Sequence, residues 1–274
     1  MFGRSFTFDH DLHIHSVLSS CSSDPAQSPQ RILQYAREEG LSTICLTDHY
    51  WDSAVPDTSE WYAPQNFEHL SKSRPLPTDP NIRFLFGCET EMRADHTLGI
   101  PKDRFADFDF VIIPTTHLHM TNHTITKEDS ESLDARARLW AERLETLLCM
   151  DLPFRKIGIA HLACPLLAPC GDREAYRIVL NMIPTETMAI LFKKAAMLGV
   201  GIELNSTDMN FSDAETDTVL RMFRIAKEAG CKFYLGSDAH HPAVLTKARQ
   251  IFERAIDLLD LKESDKFHIS SKNT

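Results

Sequence analysis

The sequence lacks the long apolar run that a membrane-spanning helix requires, and its first residues lack the apolar segment of a secretory signal peptide. Its seven cysteines form no CxxC pair and no short-spaced framework. We therefore expect no membrane span, no disulfide scaffold and a reducing, cytoplasmic location.

Positive charge is also scarce: 29 lysines and arginines face 39 aspartates and glutamates, which gives a formal net charge of −10. This balance argues against a broad cationic surface for long nucleic acid or for an anionic membrane. A small, locally cationic site stays compatible with it, because bound metal ions are not part of the count.

What the sequence does contain is a repeating pattern of apolar, β-branched runs and amphipathic segments over 274 residues. The runs predict seven strands, at 6–14, 42–47, 82–90, 109–116, 157–161, 200–205 and 232–237. The amphipathic segments predict helices at 28–40, 131–149, 185–198, 212–230 and 242–259, several with readable caps. No break in composition divides the chain, so we expect one domain over 1–274 with a polar tail at 262–274.

Repeated βα units imply a parallel sheet, and seven in a row predict an α/β fold with a TIM-like barrel. An open doubly wound sheet is the alternative. In either architecture the site lies at the C-terminal ends of the strands. Residues 50–80 and 118–130 exceed normal loop length, so we expect them to wall or cover that site, with plain surface insertion as the alternative.

The first strand carries two histidines two residues apart, His13 and His15. Side chains at i and i+2 of a strand point to one face, so the pair can hold one metal ion. The other strand ends also carry imidazoles or carboxylates: Asp48 and His49, Glu89 and Glu91, His117, His161, Glu203 with Asn205, and Asp238 with His240. These donors suit zinc, manganese or iron, and their number exceeds one coordination sphere.

This ordered set resembles the PHP (polymerase and histidinol phosphatase) family of metal-dependent phosphoesterases. The matching motifs are Asp11-x-His13-x-His15-Ser16, Thr47-Asp48-His49, Gly87-x-Glu89, the single histidines 117 and 161, and Gly236-Ser237-Asp238-Ala239-His240.

The resemblance implies a distorted seven-stranded barrel with three divalent metal ions, and hydrolysis of a phosphate ester by a hydroxide bridging two of them. His13, His15, Glu89 and Asp238 would hold the first metal. Glu89 would bridge to a second metal completed by His117 and His161, and His49 and His240 would hold a third. Glu89 and Asp238 are thus the carboxylates expected to act in catalysis, through the metals.

One position departs from the family pattern. The third metal usually takes a further ligand from the loop after the first strand, and Cys21 stands at that position. A thiolate can bind zinc or iron, so Cys21 is a candidate ligand. The alternatives are a fold-back of Asp24, a weak third site and a free loop thiol.

Several polar residues are expected to support the ligands or face the substrate. Asp11 shares a face with His13 and is expected to accept the second N–H of a ligand imidazole. Asp48 is expected to orient His49 or a loop amide, and Glu91 and Asn205 lie on the same rim. An arginine usually helps to bind the phosphate in this family, and Arg93, Arg136, Arg138 and Arg173 lie near rim loops.

The sequence therefore predicts a hydrolase of a small phosphorylated substrate, similar to histidinol phosphatases. A nuclease or nucleotide phosphodiesterase acting on short oligonucleotides is the alternative, since the family also contains such enzymes. A noncatalytic metal-binding domain is a third interpretation, and the nearly full ligand set disfavours it.

Overall fold

The computed structural model describes residues 4–269 and contains nine strands that pair in parallel. A three-stranded sheet has the order β1-β2-β4, and a six-stranded sheet has the order β3-β5-β6-β7-β8-β9. The α/β class with parallel strands is thus confirmed. The bounds are β1 His10–Ile14, β2 Thr43–Leu46, β3 His49–Tyr50, β4 Arg83–Phe86, β5 Cys88–Thr90, β6 Val111–Pro114, β7 Ile157–Ala160, β8 Gly201–Asn205 and β9 Lys232–Gly236.

The strand count differs from the predicted seven for two reasons. A short strand at His49–Tyr50 follows the one predicted at 42–47 and was not predicted, and the strand predicted at 82–90 breaks at Gly87. A Cβ atom at Gly87 would lie 2.5 Å from the Phe110 carbonyl oxygen and 2.7 Å from the Cys45 sulfur. Only glycine therefore fits where β4 passes into β5. β2 and β4 belong to the three-stranded sheet, whereas β3 and β5, which follow them, belong to the six-stranded sheet.

Within residues 4–269, no continuous ladder joins β9 to β1. The chain after β9 nevertheless runs beside β1 through an isolated parallel bridge between Ile14 and Ala239. The Asp238 N–H donates to the His13 carbonyl at 2.7 Å, and the His15 N–H donates to the Ala239 carbonyl at 3.2 Å. These contacts bring two predicted ligand-bearing segments side by side.

A small apolar core lies between strands of both sheets. The ring centroids of Phe110 and Tyr234 are 5.2 Å apart in it, and Phe267 packs against both. The Phe267 N–H donates to the Phe233 carbonyl at 2.7 Å. This buried aromatic residue anchors part of the segment predicted as a polar tail at 262–274; residues 270–274 lie outside the described residues. The core members are Leu12, Cys45, Leu85, Phe110, Ile112, Ala160, Tyr234 and Phe267.

The helices pack their apolar sides against a larger core. Ser28 caps the first one by accepting from the Arg31 N–H, and Gly40 ends it with φ 67°. The predicted helices are present with small shifts at their ends. The helix after residue 172 and the two one-turn helices at 67–70 and 127–130 were not predicted. The bounds are α1 Pro29–Glu39, α2 Phe67–Leu70, α3 Lys127–Ser130, α4 Leu133–Cys149, α5 Arg173–Met182, α6 Thr185–Leu198, α7 Thr216–Glu228 and α8 Pro242–Leu258.

Short 3₁₀ helices complete the described elements, at Ser71–Ser73, Lys102–Asp107, Phe154–Lys156, Pro165–Leu167, Asp213–Glu215 and Glu263–Asp265. The capping box predicted from Ser212 and Glu215 is present and begins the turn that leads into α7. Among residues 4–269, no helix combines the length and the apolar composition needed to cross a bilayer.

Two buried arginines of α4 hold the second long insertion, residues 118–130, against the sheet. Arg136 donates to the Leu118 carbonyl at 2.7 Å, and Arg143 donates to the Thr124 carbonyl at 3.0 Å. Such charge-assisted bonds to main-chain carbonyls fix a loop that has little regular structure of its own.

Candidate metal centre

Four side chains from three strand ends converge on one point. The Nε2 atoms of His13 and His15 are 2.9 Å apart, and both lie 3.4–3.5 Å from Glu89 Oε2. Asp238 Oδ1 lies 3.4 Å from the first of these nitrogens and 3.2 Å from the second. All four residues predicted for the first metal are thus brought together by the fold.

These distances can be compared with those of a metal coordination sphere. Nitrogen and oxygen ligands lie about 2.0 Å from zinc, which places tetrahedral ligand atoms about 3.3 Å from one another. The two imidazole nitrogens lie 2.9 Å from each other and 3.2–3.5 Å from the two carboxylate oxygens. Distances of this size are those expected of donor atoms that share one cation.

Glu89 is buried at 1% exposure, and within residues 4–269 neither of its oxygens accepts a well-directed hydrogen bond. Buried carboxylates without partners are rare because desolvating them costs several kcal/mol. Its Oε2 lies 2.9 Å from His49 Nδ1, while its Oε1 lies 3.6 Å from His161 Nε2. The carboxylate therefore faces two groups of imidazoles at once, as a bridging ligand does.

A second cluster surrounds His161, whose ring centroid is 4.7 Å from that of His117. One donor atom each of His117, His161 and Cys164 lies within 4.8 Å of the others, and all three residues are buried. Cys164 was not predicted as a site residue, although its His-x-x-Cys spacing after His161 was available as a signal.

A third cluster consists of His15, His49 and His240, whose donor atoms also lie within 4.8 Å of one another. The rings of His15 and His240 stack at 4.0 Å. Cys21 belongs to none of the clusters found among the described residues, although it lines the same cavity. Partial burial, together with the nearby carboxylates Glu89 and Asp238, raises the pKa of its thiol to about 12, so the metal-free protein holds a thiol there.

The outer nitrogens of the candidate ligands have partners of their own. His13 Nδ1 lies 2.6 Å from Glu203 Oε1, and His117 Nδ1 lies 2.9 Å from Glu91 Oε2. His15 Nδ1 lies 2.9 Å from the Ser19 hydroxyl. Carboxylates in this position fix the tautomer and the direction of a metal-binding imidazole.

The contacts of Asp11 differ from the expectation that it supports an imidazole. Its carboxylate accepts from the main-chain N–H groups of Ser237 at 3.0 Å and His13 at 3.3 Å, and from the Tyr35 hydroxyl at 3.1 Å. Asp11 therefore connects β1 to the end of β9 and to α1. The support of a ligand imidazole, which was expected of Asp11, comes from Glu203 instead. The sequence contained a signal for Glu203, which shares a strand face with Asn205.

Asp48 orients the loop after β1, as expected of a residue that positions a loop amide. It accepts from the Ser16 N–H and from the Ser19 hydroxyl, each at 2.7 Å. Asn205 donates to Glu203 Oε2 at 3.2 Å, so it acts on the site through that carboxylate. Asp208 lies 3.7 Å from His161 Nδ1 and was missed, since it lies in a loop without any pattern.

Backbone geometry also marks the site. His161 and Asp238 adopt left-handed φ values of 61° and 53°, which cost a non-glycine residue roughly 1–2 kcal/mol. At Gly236 a Cβ atom would lie 2.0 Å from Glu203 Oε1 and 2.7 Å from His13 Cβ. Glycine is therefore required for the contact between Glu203 and His13.

The electrostatics hold some of the candidate ligands, but not all, in the protonation states that bind metal. Burial favours the neutral imidazole at His13, His15 and His161, but nearby carboxylates outweigh it and raise the pKa of all three, so metal would displace protons from them. Burial favours the neutral form of Glu89, but the imidazoles of His49 and His13 outweigh it and hold the pKa of this carboxyl well below its usual value. Burial lowers the pKa of His49, and burial with the charge of His15 lowers that of His240 to about 3. Carboxylate and neutral imidazole are the ligand forms of these groups.

The clusters open into a cavity of about 780 Å³. Both long insertions line it, the first with Trp61 and Tyr62 and the second with His119 and His123, which agrees with the prediction that they wall the site. Among the described lining residues there is no lysine or arginine.

The four arginines considered as phosphate ligands have other partners. Arg93 donates to the carbonyls of Pro56 and Asp57 and pairs with Asp95 at 2.9 Å, so it supports the first insertion instead of lining the cavity. Arg136 is buried against main-chain carbonyls. Arg138 pairs with Asp129 and Glu142, and Arg173 pairs with Glu215.

Comparison with known proteins gives a consistent result. The profile of the PHP domain matches residues 11–207, which is more than half of the chain. No curated protein matches the chain in sequence.

Two solved structures share the fold. Histidinol phosphate phosphatase from Lactococcus lactis, solved with zinc, L-histidinol and phosphate, superposes with a TM-score of 0.59 at 19% identity over 90% of this chain and 93% of its own. A protein assigned as a histidinol phosphatase from Listeria monocytogenes gives 0.62 at 12% identity over 89% of this chain and 99% of its own.

Proposed function

Because the chain belongs to the PHP domain family, we propose that it is a metal-dependent phosphoesterase that hydrolyses a phosphate monoester of a small molecule. The observation that carries this proposal is the convergence of four side chains beside a large cavity. The Nε2 atoms of His13 and His15 lie 2.9 Å apart, and each lies 3.2–3.5 Å from a carboxylate oxygen of Glu89 and of Asp238. Zinc, L-histidinol and phosphate in the Lactococcus lactis structure support the same class of substrate.

The proposal assigns three divalent ions, zinc, manganese or iron, to the three clusters. The first ion takes the four residues just named, and the second takes Glu89, His117 and His161. The third takes His49 and His240, with Cys21 as the further ligand predicted from the sequence. Cys21 lines the same cavity but belongs to none of the clusters found among the described residues.

When bound, the metal ions would supply Lewis-acid charge and would lower the pKa of a bound water. Side chains of the protein hold the metal-binding imidazoles in place. Glu203 and Glu91 hold the rings of His13 and His117, and the loop fixed by Asp48 holds that of His15. Thr121 and Thr207 line the cavity, and each carries a hydroxyl that can donate a hydrogen bond to a phosphate.

The proposal includes the distorted barrel. It is supported by the bridge between Ile14 and Ala239, which carries the order of strands from β9 back to β1. It is also supported by the inner core around Phe110 and Tyr234, to which strands of both sheets contribute. An open doubly wound sheet would not enclose such a core.

A phosphodiesterase acting on short oligonucleotides is the second candidate. One observation favours it: the indole of Trp61, 38% exposed, lines the cavity and offers a face on which a base can stack.

The test is phosphate release by the protein loaded with zinc, manganese or iron. The substrates are histidinol phosphate, sugar phosphates and a labelled short oligonucleotide. Release from a monoester supports the proposal, and cleavage of the oligonucleotide alone favours the second candidate. No activity on any ester by fully loaded protein would leave a noncatalytic metal-binding domain.

A further inference from the structure

From the walls of the cavity we infer that the substrate is a phosphate monoester whose alcohol part is a flat, apolar ring without a second anionic group. This inference rests on the proposed function, since it places the phosphate at the donor clusters. It follows from two independent features of the cavity, the charges it lacks and the rings it contains.

The first feature is the absence of cationic side chains. No lysine or arginine is found among the described residues that line the cavity. The described lining thus offers no lysine or arginine to a second carboxylate or phosphate on the substrate, and such a group would be desolvated without a cationic side chain as its partner.

The second feature is an aromatic wall next to the metal ligands. The ring centroid of Trp61 lies 5.0 Å from that of His49, and Tyr62 holds the indole edge-on at 4.6 Å. Tyr62 is itself buried, with 1% of its surface exposed, so it is a fixed support. A group esterified to a phosphate beside His49 therefore reaches the indole directly.

Apolar side chains continue this wall across the cavity. Met120 comes from the second insertion, and Pro165 and Leu166 come from the 3₁₀ helix after β7. A cavity of about 780 Å³ holds a phosphate together with a ring-sized group. A polyhydroxylated sugar would leave its hydroxyls against these apolar surfaces, whereas a flat ring would bury its faces.

The test measures binding, so that it does not depend on turnover. Benzylphosphonate, methylphosphonate and 4-carboxybenzylphosphonate are titrated into metal-loaded protein by calorimetry at pH 7.5. The benzyl compound should bind roughly threefold to tenfold more tightly than the methyl compound, the range expected for one aromatic contact. The carboxylate should weaken binding at least about tenfold relative to benzyl, because it meets no cation.

Trp61→Ala should bring the benzyl and methyl affinities together, and Trp61→Phe should restore most of the difference. Met197→Ala, at a methionine that is 82% exposed, is the control for a surface truncation and should change neither affinity. Thermal melts of the metal-loaded variants check that each one is folded.

Equal binding of the benzyl and methyl compounds, or equal binding of the carboxylated one, would overturn the inference. Hydrolysis of methyl and benzyl phosphate is measured in parallel. If the binding preference is found and no ester is hydrolysed, the proposed function fails while the ligand class stands. If both esters are hydrolysed at equal efficiency without a binding preference, the function stands and the ligand class fails.

Discussion

Glu203→Gln is the change that separates positioning of the metal ligands from ligation itself. Glu203 Oε1 lies 2.6 Å from His13 Nδ1, on the side of the ring opposite to the nitrogen that faces His15. Both side chains are fully buried, with 1% or less of their surface exposed. Glutamine keeps the shape of the side chain and removes its negative charge.

Removing a carboxylate that supports a metal-binding imidazole reduces metal affinity by about 10- to 100-fold. This corresponds to about 1.4–2.7 kcal/mol of binding free energy. The shape is retained, so activity at saturating metal should stay within about threefold of the original protein. The metal concentration that gives half of the maximal activity should rise by the same 10- to 100-fold.

The assay is a competition titration against a chromophoric chelator, combined with activity at increasing metal concentration. Glu215→Gln is the matched control, since Glu215 is also largely buried but caps the turn before α7, away from the clusters. An unchanged metal affinity in Glu203→Gln would refute the supporting role. A loss of activity that saturating metal does not restore would instead mean that Glu203 acts in the reaction.

Three further predictions follow from single contacts. Glu89→Gln should abolish activity and lower the metal content. The urea midpoint of metal-free protein should also fall, because the lowered pKa of Glu89 means that its charge stabilises the folded state; full activity would exclude a bridging role. Gly236→Ala should weaken metal binding at least about tenfold and destabilise the fold by about 1–3 kcal/mol, because the new Cβ atom would displace Glu203. The control is Gly171→Ala, which has open space around its Cβ atom and should leave metal binding unchanged. Burial raises the pKa of Asp11 to about 6. The folded state therefore still binds this proton at pH values at which the unfolded state has released it. Metal-free protein should lose up to about 3 kcal/mol of unfolding free energy as the pH rises from 4 to 6, measured by urea titration. An equal loss in Asp11→Asn would contradict this origin.

The fold class and the helix ends were predictable because they depend on local patterns. Apolar periodicity located the strands, and caps such as Ser28 and Gly40 located the ends of α1. The break at Gly87 was not predictable, since it arises from close approach of Phe110 and Cys45, which are distant in sequence. The anchoring of Phe267 likewise depends on a partner core that no local pattern reveals.

The candidate ligands were predictable because strand ends of a parallel sheet meet at one rim. Their supports were harder to find. Glu203 and Asp11 are both carboxylates on the same rim, and the three-dimensional register decides which one reaches the ring of His13. The partner of Arg93 also depends on the three-dimensional structure. Its position near the rim suggested a phosphate contact, but its guanidinium donates to the carbonyls of Pro56 and Asp57 instead.

The central claim is that the buried donors hold metal ions, and anomalous scattering from crystals of zinc-loaded protein tests it most directly. We predict a peak about 2.0–2.3 Å from the donor atoms of His13, His15, Glu89 and Asp238, with further peaks beside His161 and beside His240. Crystals grown in saturating zinc that show no anomalous peak among these four side chains would contradict the account.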